Sequence, residues 1–402
     1  MNYYKSASIK KICIWGFVLR LFVLAIIVLF GNELTTGFLS SDIINDDVRY
    51  QAGAEIYALK AKNVFDINAL GNAYYQAGDY SIIYGSGVQL WYWIVAIAMY
   101  IFRTHVVVKI LNIAFAILTI KYIYDIGDKI YGRKAALIAA SLYAFLPYPV
   151  FFSCFLYKDQ FYTLVVLAIF RIIILKGTGL NYKDLLYLVP LFVLATTIRT
   201  GLSVFILVVV IYLYVRLNGS ARKSKFRIWL IAPILLVGLY FLFEFNAGSI
   251  DRKFDAYVLG YEASSDGIVS LISIKSIYEI YKYPIALLFM MLLPIQTKLS
   301  ITSWADITGI LNIIVVPVAI GVLWYFANWK IRKSPLFWGI QVLYLITIVS
   351  SLGIFRHSYY LQPYMMLFFA HFIVTLSSSD KKNFKFVSVL MTLSYSFLLL
   401  LR

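Results

Sequence analysis

A chain of 402 residues that is 62% hydrophobic, 18% aromatic and only 14% charged carries more apolar surface than a water-soluble fold of that size hides. Its formal charge of +17, from 36 Lys and Arg against 19 Asp and Glu, would point to nucleic acid only if the cations formed one solvated patch, and they are scattered through short polar turns. Two cysteines, Cys13 and Cys154, give no CxxC, no zinc spacing and no disulfide framework.

In chain order, the first apolar run, residues 12–31, follows Lys10-Lys11, lacks a small-residue cleavage site and reads as a retained span. Runs of spanning length recur at 106–124, 135–152, 160–176, 183–198, 200–216, 228–245, 307–327, 336–355, 358–376 and 384–401. Two shorter segments, 87–102 and 284–297, are read as interfacial or re-entrant, the first because "VQLWYWIVAIAMYIF" is rich in residues that prefer the membrane interface. The expected fold is all-α, a single integral membrane domain over 1–402 with about 11 to 13 transmembrane helices. Outer loops 32–86 and 246–283 would carry short amphipathic helices. No internal repeat, low-complexity tract or nucleotide-binding glycine loop interrupts this pattern.

Positive charge sets the expected orientation. With the two short segments not crossing and the N-terminus cytoplasmic, the inner turns 1–11, 125–134, 176–183, 216–227, 328–334 and 380–385 hold 19 of the 36 cations. The same arrangement leaves 14 of the 19 acids on the outer side. Orientation and anionic headgroups thus account for the charge, and no nucleic-acid partner is needed.

The outer side collects ionisable residues at the membrane edge: Asp46, Asp47 and Arg49 in "NDDVRYQAGA", Lys158 and Asp159 in "YKDQF", Arg199 in "IRTGL", and Arg356 and His357 in "FRHSYYLQP". Charges at such depth are costly unless paired or used. A carboxylate can take the proton of an attacking hydroxyl, and Arg and Lys can stabilise the charge on a departing phosphate. That chemistry suits transfer from a lipid-linked phosphate donor whose tail stays in the bilayer.

A span followed by "NDDVRYQAGA", an aromatic "QLWYW" segment and "YDIGDKIYGRKAALIAASLYAFLPY" resembles the membrane-embedded C-type (GT-C) glycosyltransferases, including the protein O-mannosyltransferase-like and aminoarabinose-transferase-like groups. The resemblance covers roughly residues 10–215 and lacks the usual His-Pro-Pro before the aromatic segment, where "YGSGVQLWYW" stands. It implies a catalytic base at Asp46 with Asp47 as its acidic neighbour, and a polyprenyl-phosphate-linked sugar as donor. Lys158, Arg199, Arg356 and His357 are assigned to the donor phosphate, and Arg49, Tyr50, Tyr84 and Asp159 to the substrates. Arg20 in the first span also resembles a basic residue of that family. The acceptor would be a glycan, lipid or protein on the outer face of a bacterial cytoplasmic membrane. Hard oxygen ligands at Asp46 and Asp47 are compatible with Mg²⁺ or Mn²⁺, without requiring either.

Each motif also has a reading without chemistry. Asp46 and Asp47 fall in the first turn of a helix if Asn45 caps it, where acids favour the positive end of the dipole. Lys158 and Asp159 read equally as an interfacial ion pair, Arg199 as a turn anchor, Arg20 as a side chain snorkelling to headgroups, and His371 as a satisfied bundle histidine. Two further functions stay open: a polymerase of lipid-linked repeat units, which would share the outer cationic cavity, and a flippase or transporter, which would favour charges near the bilayer midplane and paired discontinuous helices.

Overall fold

The computed structural model describes residues 2–30, 46–77, 90–217, 277–292, 304–327, 334–350 and 355–400, and among these every regular element is helical. The expected span 228–245, most of loop 246–283, Asn45 and Tyr84 lie outside the described residues.

The first helix, α1, runs Asn2–Phe30, followed by α2 (Asp46–Lys60), α3 (Ile67–Gln76), α4 (Leu90–Phe102) and α5 (Val106–Tyr131). Within them, Ser8–Phe30 and Val106–Tyr131, of 23 and 26 residues, are long and apolar enough to cross a membrane. At 1.5 Å per residue they reach about 35 and 39 Å, more than a hydrocarbon core of about 30 Å. Four shorter apolar stretches, Leu90–Phe102, Phe205–Arg216, Asn312–Phe326 and Pro335–Ile348, are helical but fall below that length.

Three expected spans are broken, each at a proline. Segment 135–152 forms α6 (Arg133–Phe145) and a short α7 (Pro147–Phe152), because Pro147 has no N–H to continue the ladder. After α8 (Lys158–Lys176), α9 (Tyr182–Ile198), α10 (Thr200–Leu217) and α11 (Tyr283–Leu292), segment 307–327 divides into α12 (Trp304–Leu311), a 3₁₀ turn over Asn312–Val315, and α13 (Val316–Ala327) with Pro317 in its first turn. Beyond α14 (Pro335–Ser350), segment 358–376 becomes a 3₁₀ stretch, Phe355–Leu361, and α15 (Gln362–Thr375) opened by Pro363. The chain ends in α16 (Ser378–Leu400).

Most of the helices share one apolar core: α5 packs on α1, α6 and α8, α15 on α6, and α10 on α14. A second, smaller core sits under α2, α3 and α4. Its residues recur at helical spacing, Tyr50, Ala54 and Tyr57 on α2 and Trp91, Val95 and Ala98 on α4, which gives each helix one apolar stripe. Gly53 lets the Tyr74 ring approach so closely that a Cβ there would lie 2.2 Å from it. Asp66 caps α3 by accepting from the Ala69 N–H, and this bond with that of Lys62 holds its carboxyl below the ordinary value. Val108 and Leu156, both in the second core, join it to the main bundle.

Candidate functional site

Between α7 and α8 the chain has no helical ladder of its own, so side chains from three distant helices satisfy its backbone. Asn112 of α5 donates through Nδ2 to the carbonyls of Phe155 (2.7 Å) and Tyr157 (3.1 Å), and Trp91 of α4 donates through Nε1 to that of Leu156 (2.7 Å). The Leu156 N–H donates to a carboxylate oxygen of Asp47 at 2.5 Å. Asp47 is therefore an acid only 4% exposed whose described bond fastens the start of α2 to the residues that lead into "YKDQF".

Two residues later α8 opens with Lys158 and Asp159, the latter 3% exposed and in the first turn, where the helix dipole favours an acid. Asp159 accepts from the guanidinium of Arg199, which stands at the end of α9 where the chain turns into α10. The Arg199 guanidinium also lies 5.6 Å from the Tyr162 ring centre, and Ser203 Oγ donates to its carbonyl at 2.7 Å. The next residue, Gln160, accepts through Oε1 from the hydroxyls of Tyr143 (2.9 Å) and Tyr359 (2.8 Å) and donates through Nε2 to Thr119 Oγ1 (3.2 Å). Tyr162 meets Tyr360 edge to face at 5.4 Å. These contacts dock the Phe355–Leu361 segment, which carries Arg356 and His357, on the first turn of α8.

Four stretches that the sequence separates by up to about 310 residues thus meet around residues 155–162. The side chains of Asp46, Arg356 and His357 lie outside what is described. Of the remaining expected residues, Arg49 is half-buried beside the site on α2, whereas Tyr50 is a core residue packed on Tyr92 at 5.3 Å. Among the described residues no three His, Cys, Asp or Glu side chains surround one point, and Asp47 and Asp159 each give an oxygen to a protein donor. The described ligands therefore do not form a Mg²⁺ or Mn²⁺ cage.

Arg20 does not reach toward headgroups. It is fully buried, and it donates to the carbonyls of Tyr143 (2.9 Å), Ala144 (2.8 Å) and Gly16 (3.0 Å) and to Ser153 Oγ (3.0 Å). The carbonyls of Tyr143 and Ala144 are those that the break at Pro147 leaves without helical donors, so Arg20 caps the negative end of α6.

Two residues of the site escaped the sequence reading. Lys109, 5% exposed in the first turn of α5, puts its ammonium 5.6 Å from the Phe155 ring centre. His105, at the N-cap of α5, is half-buried, and burial together with the charge of Lys109 lowers its pKa. The signal was a lysine inside the apolar run "VVVKILNIAF", where an ionisable residue is by default a functional candidate.

Compared with known family models, curated proteins and solved structures, the chain matches none.

Proposed function

We propose that the chain is a polytopic membrane protein and an inverting glycosyltransferase of the C type. It would move a sugar from a polyprenyl phosphate to a hydroxyl of a glycan, lipid or protein at the outer face of a bacterial cytoplasmic membrane. The observation that supports this reading is the meeting of Asp47 on α2, the Lys158–Asp159 turn, Arg199 and the Phe355–Leu361 segment around residues 155–162. In the proposed step Asp46 removes the proton of the acceptor hydroxyl, whose oxygen attacks the anomeric carbon. The bond from that carbon to the donor oxygen breaks, and the polyprenyl phosphate leaves with the electron pair. Cations of the cluster, Lys158, Arg199, Arg356 and His357, stabilise its charge. A single in-line displacement inverts the anomeric centre. Asp47 serves as a positioning residue, because its bond to Leu156 holds α2 against the cation-bearing turn.

A second reading, a lipid-linked glycan flippase, draws support from a different observation. The breaks at Leu146, Asn312–Val315 and Gln362 border one cavity of about 30 Å³, into which Tyr148, Asn312 and Gln362 bring polar groups. Discontinuous helices around a midplane site are a transporter feature. A repeat-unit polymerase would use the outer cluster and require room for two glycans.

The deciding measurement is transfer of labelled sugar from a polyprenyl phosphate by the purified chain in nanodiscs. Asp46→Asn should lower turnover by roughly 10²- to 10⁴-fold. Asp47→Asn keeps an oxygen that accepts from Leu156 and should cost much less. Full turnover in the double variant would reject the mechanism.

A further inference from the structure

Lys109 is a buried cation that forms no ion pair among the described residues. The ion pairs among them are Lys121–Asp125, Arg171–Asp125, Lys176–Asp184, Arg199–Asp159 and Lys282–Glu279, and Lys109 belongs to none. Its described partner is the face of Phe155, 5.6 Å from the ring centre, a weak attraction for a buried charge. Burying an ammonium costs several kcal/mol. The carbonyls of residues 155–157 beside it already accept from Asn112 and Trp91, and the Asp47 carboxylate accepts from the Leu156 N–H without forming an ion pair with Lys109. One turn before it, His105 is an imidazole and brings no negative charge.

We infer that Lys109 is the seat of a binding site for a phosphate carried on a lipid. The inference rests on the glycosyltransferase reading for the lipid nature of the ligand and adds a phosphate contact at a residue outside the motifs. The charge of Arg199 is already balanced by Asp159, whereas the described partner of Lys109 is a ring face. The site also lies against the residue 155–157 clamp, three residues from the Lys158–Asp159 turn at its nearer side. A phosphate there is shared chemistry between an isoprenoid phosphate and a phospholipid headgroup.

The test is thermal unfolding of the full chain in detergent with farnesyl phosphate, farnesol or a short-chain phosphatidic acid. Farnesyl phosphate should raise the Tm of the natural chain and farnesol should not. The shift should vanish in Lys109→Met and survive in Lys109→Arg, with binding at least about tenfold weaker in the former, since a buried charge outside any described ion pair is what the ligand neutralises. Without ligand, Lys109→Met should unfold no earlier than the natural chain. Should it fail to fold, Lys109→Gln takes its place and the same shifts decide. A shift from farnesyl phosphate alone assigns the site to an isoprenoid phosphate, and equal shifts from both phosphates assign it to lipid headgroups; either upholds it. An undiminished shift in Lys109→Met, or no shift of the natural chain by either phosphate, overturns it. Binding at Lys109 in a chain that transfers no sugar would sink the transferase reading alone.

Discussion

Asp159 and Arg199 neutralise one another, which changes what a single substitution does at either position. The Asp159 side chain is almost wholly enclosed and that of Arg199 is 13% exposed, so removing one partner leaves a charge in a poor solvent. Asp159→Ala should lower stability by about 3 to 5 kcal/mol, and adding Arg199→Met should restore much of the loss. Denaturant or thermal unfolding of the two single variants and the double variant checks this, and strict additivity of the losses would refute a coupled pair. Two residues forty positions apart cannot be seen from sequence to cancel, although each was legible as a charge at an apolar edge. Lys109 was overlooked for the opposite reason: one cation does not disturb a hydropathy average, and only packing reveals that it is buried with no ion-pair partner among the described residues.

The helices themselves were largely legible, because apolar periodicity and terminal charges mark them, and the described elements fall close to the expected segments. The breaks were not. A run such as "SLYAFLPYPVFF" has the length and hydropathy of a span, yet Pro147 removes the donor that the Tyr143 carbonyl would use, and Arg20 supplies it from a helix 123 residues away. Arg20→Leu should therefore cost about 2 to 5 kcal/mol, because two carbonyls lose their donors at once. Arg20→Lys should recover a minor part, since a single ammonium cannot span the same acceptors. A side chain that merely snorkelled to headgroups would cost under about 1 kcal/mol, so a small change in unfolding temperature for Arg20→Leu would overturn the capping role.

For the molecule as a whole, the arrangement of charge can be tested directly. Lys121 and Arg171 hold Asp125 toward the far ends of α5 and α8, while Asp159 and Lys109 stand near their beginnings. If those ends face opposite sides of a membrane, a cysteine at Gly132 should resist an impermeant thiol reagent applied from outside, with Cys13 and Cys154 first replaced. One at Asn68 on α3 should react. Labelling at Gly132 and not at Asn68 would invert the orientation, and labelling of both would remove the barrier between them.

The Arg20 cap has a further consequence for synthesis. Its Tyr143 and Ala144 acceptors are made more than 120 residues after it, which at about 5 to 20 residues per second is roughly 6 to 25 s. Through that interval a fully charged guanidinium sits in an apolar helix with only the Gly16 carbonyl of its own turn to meet it. A nascent helix in that condition needs water or another polar partner until α6 arrives, so α1 cannot reach its final packing before Tyr143 and Ala144 have been made.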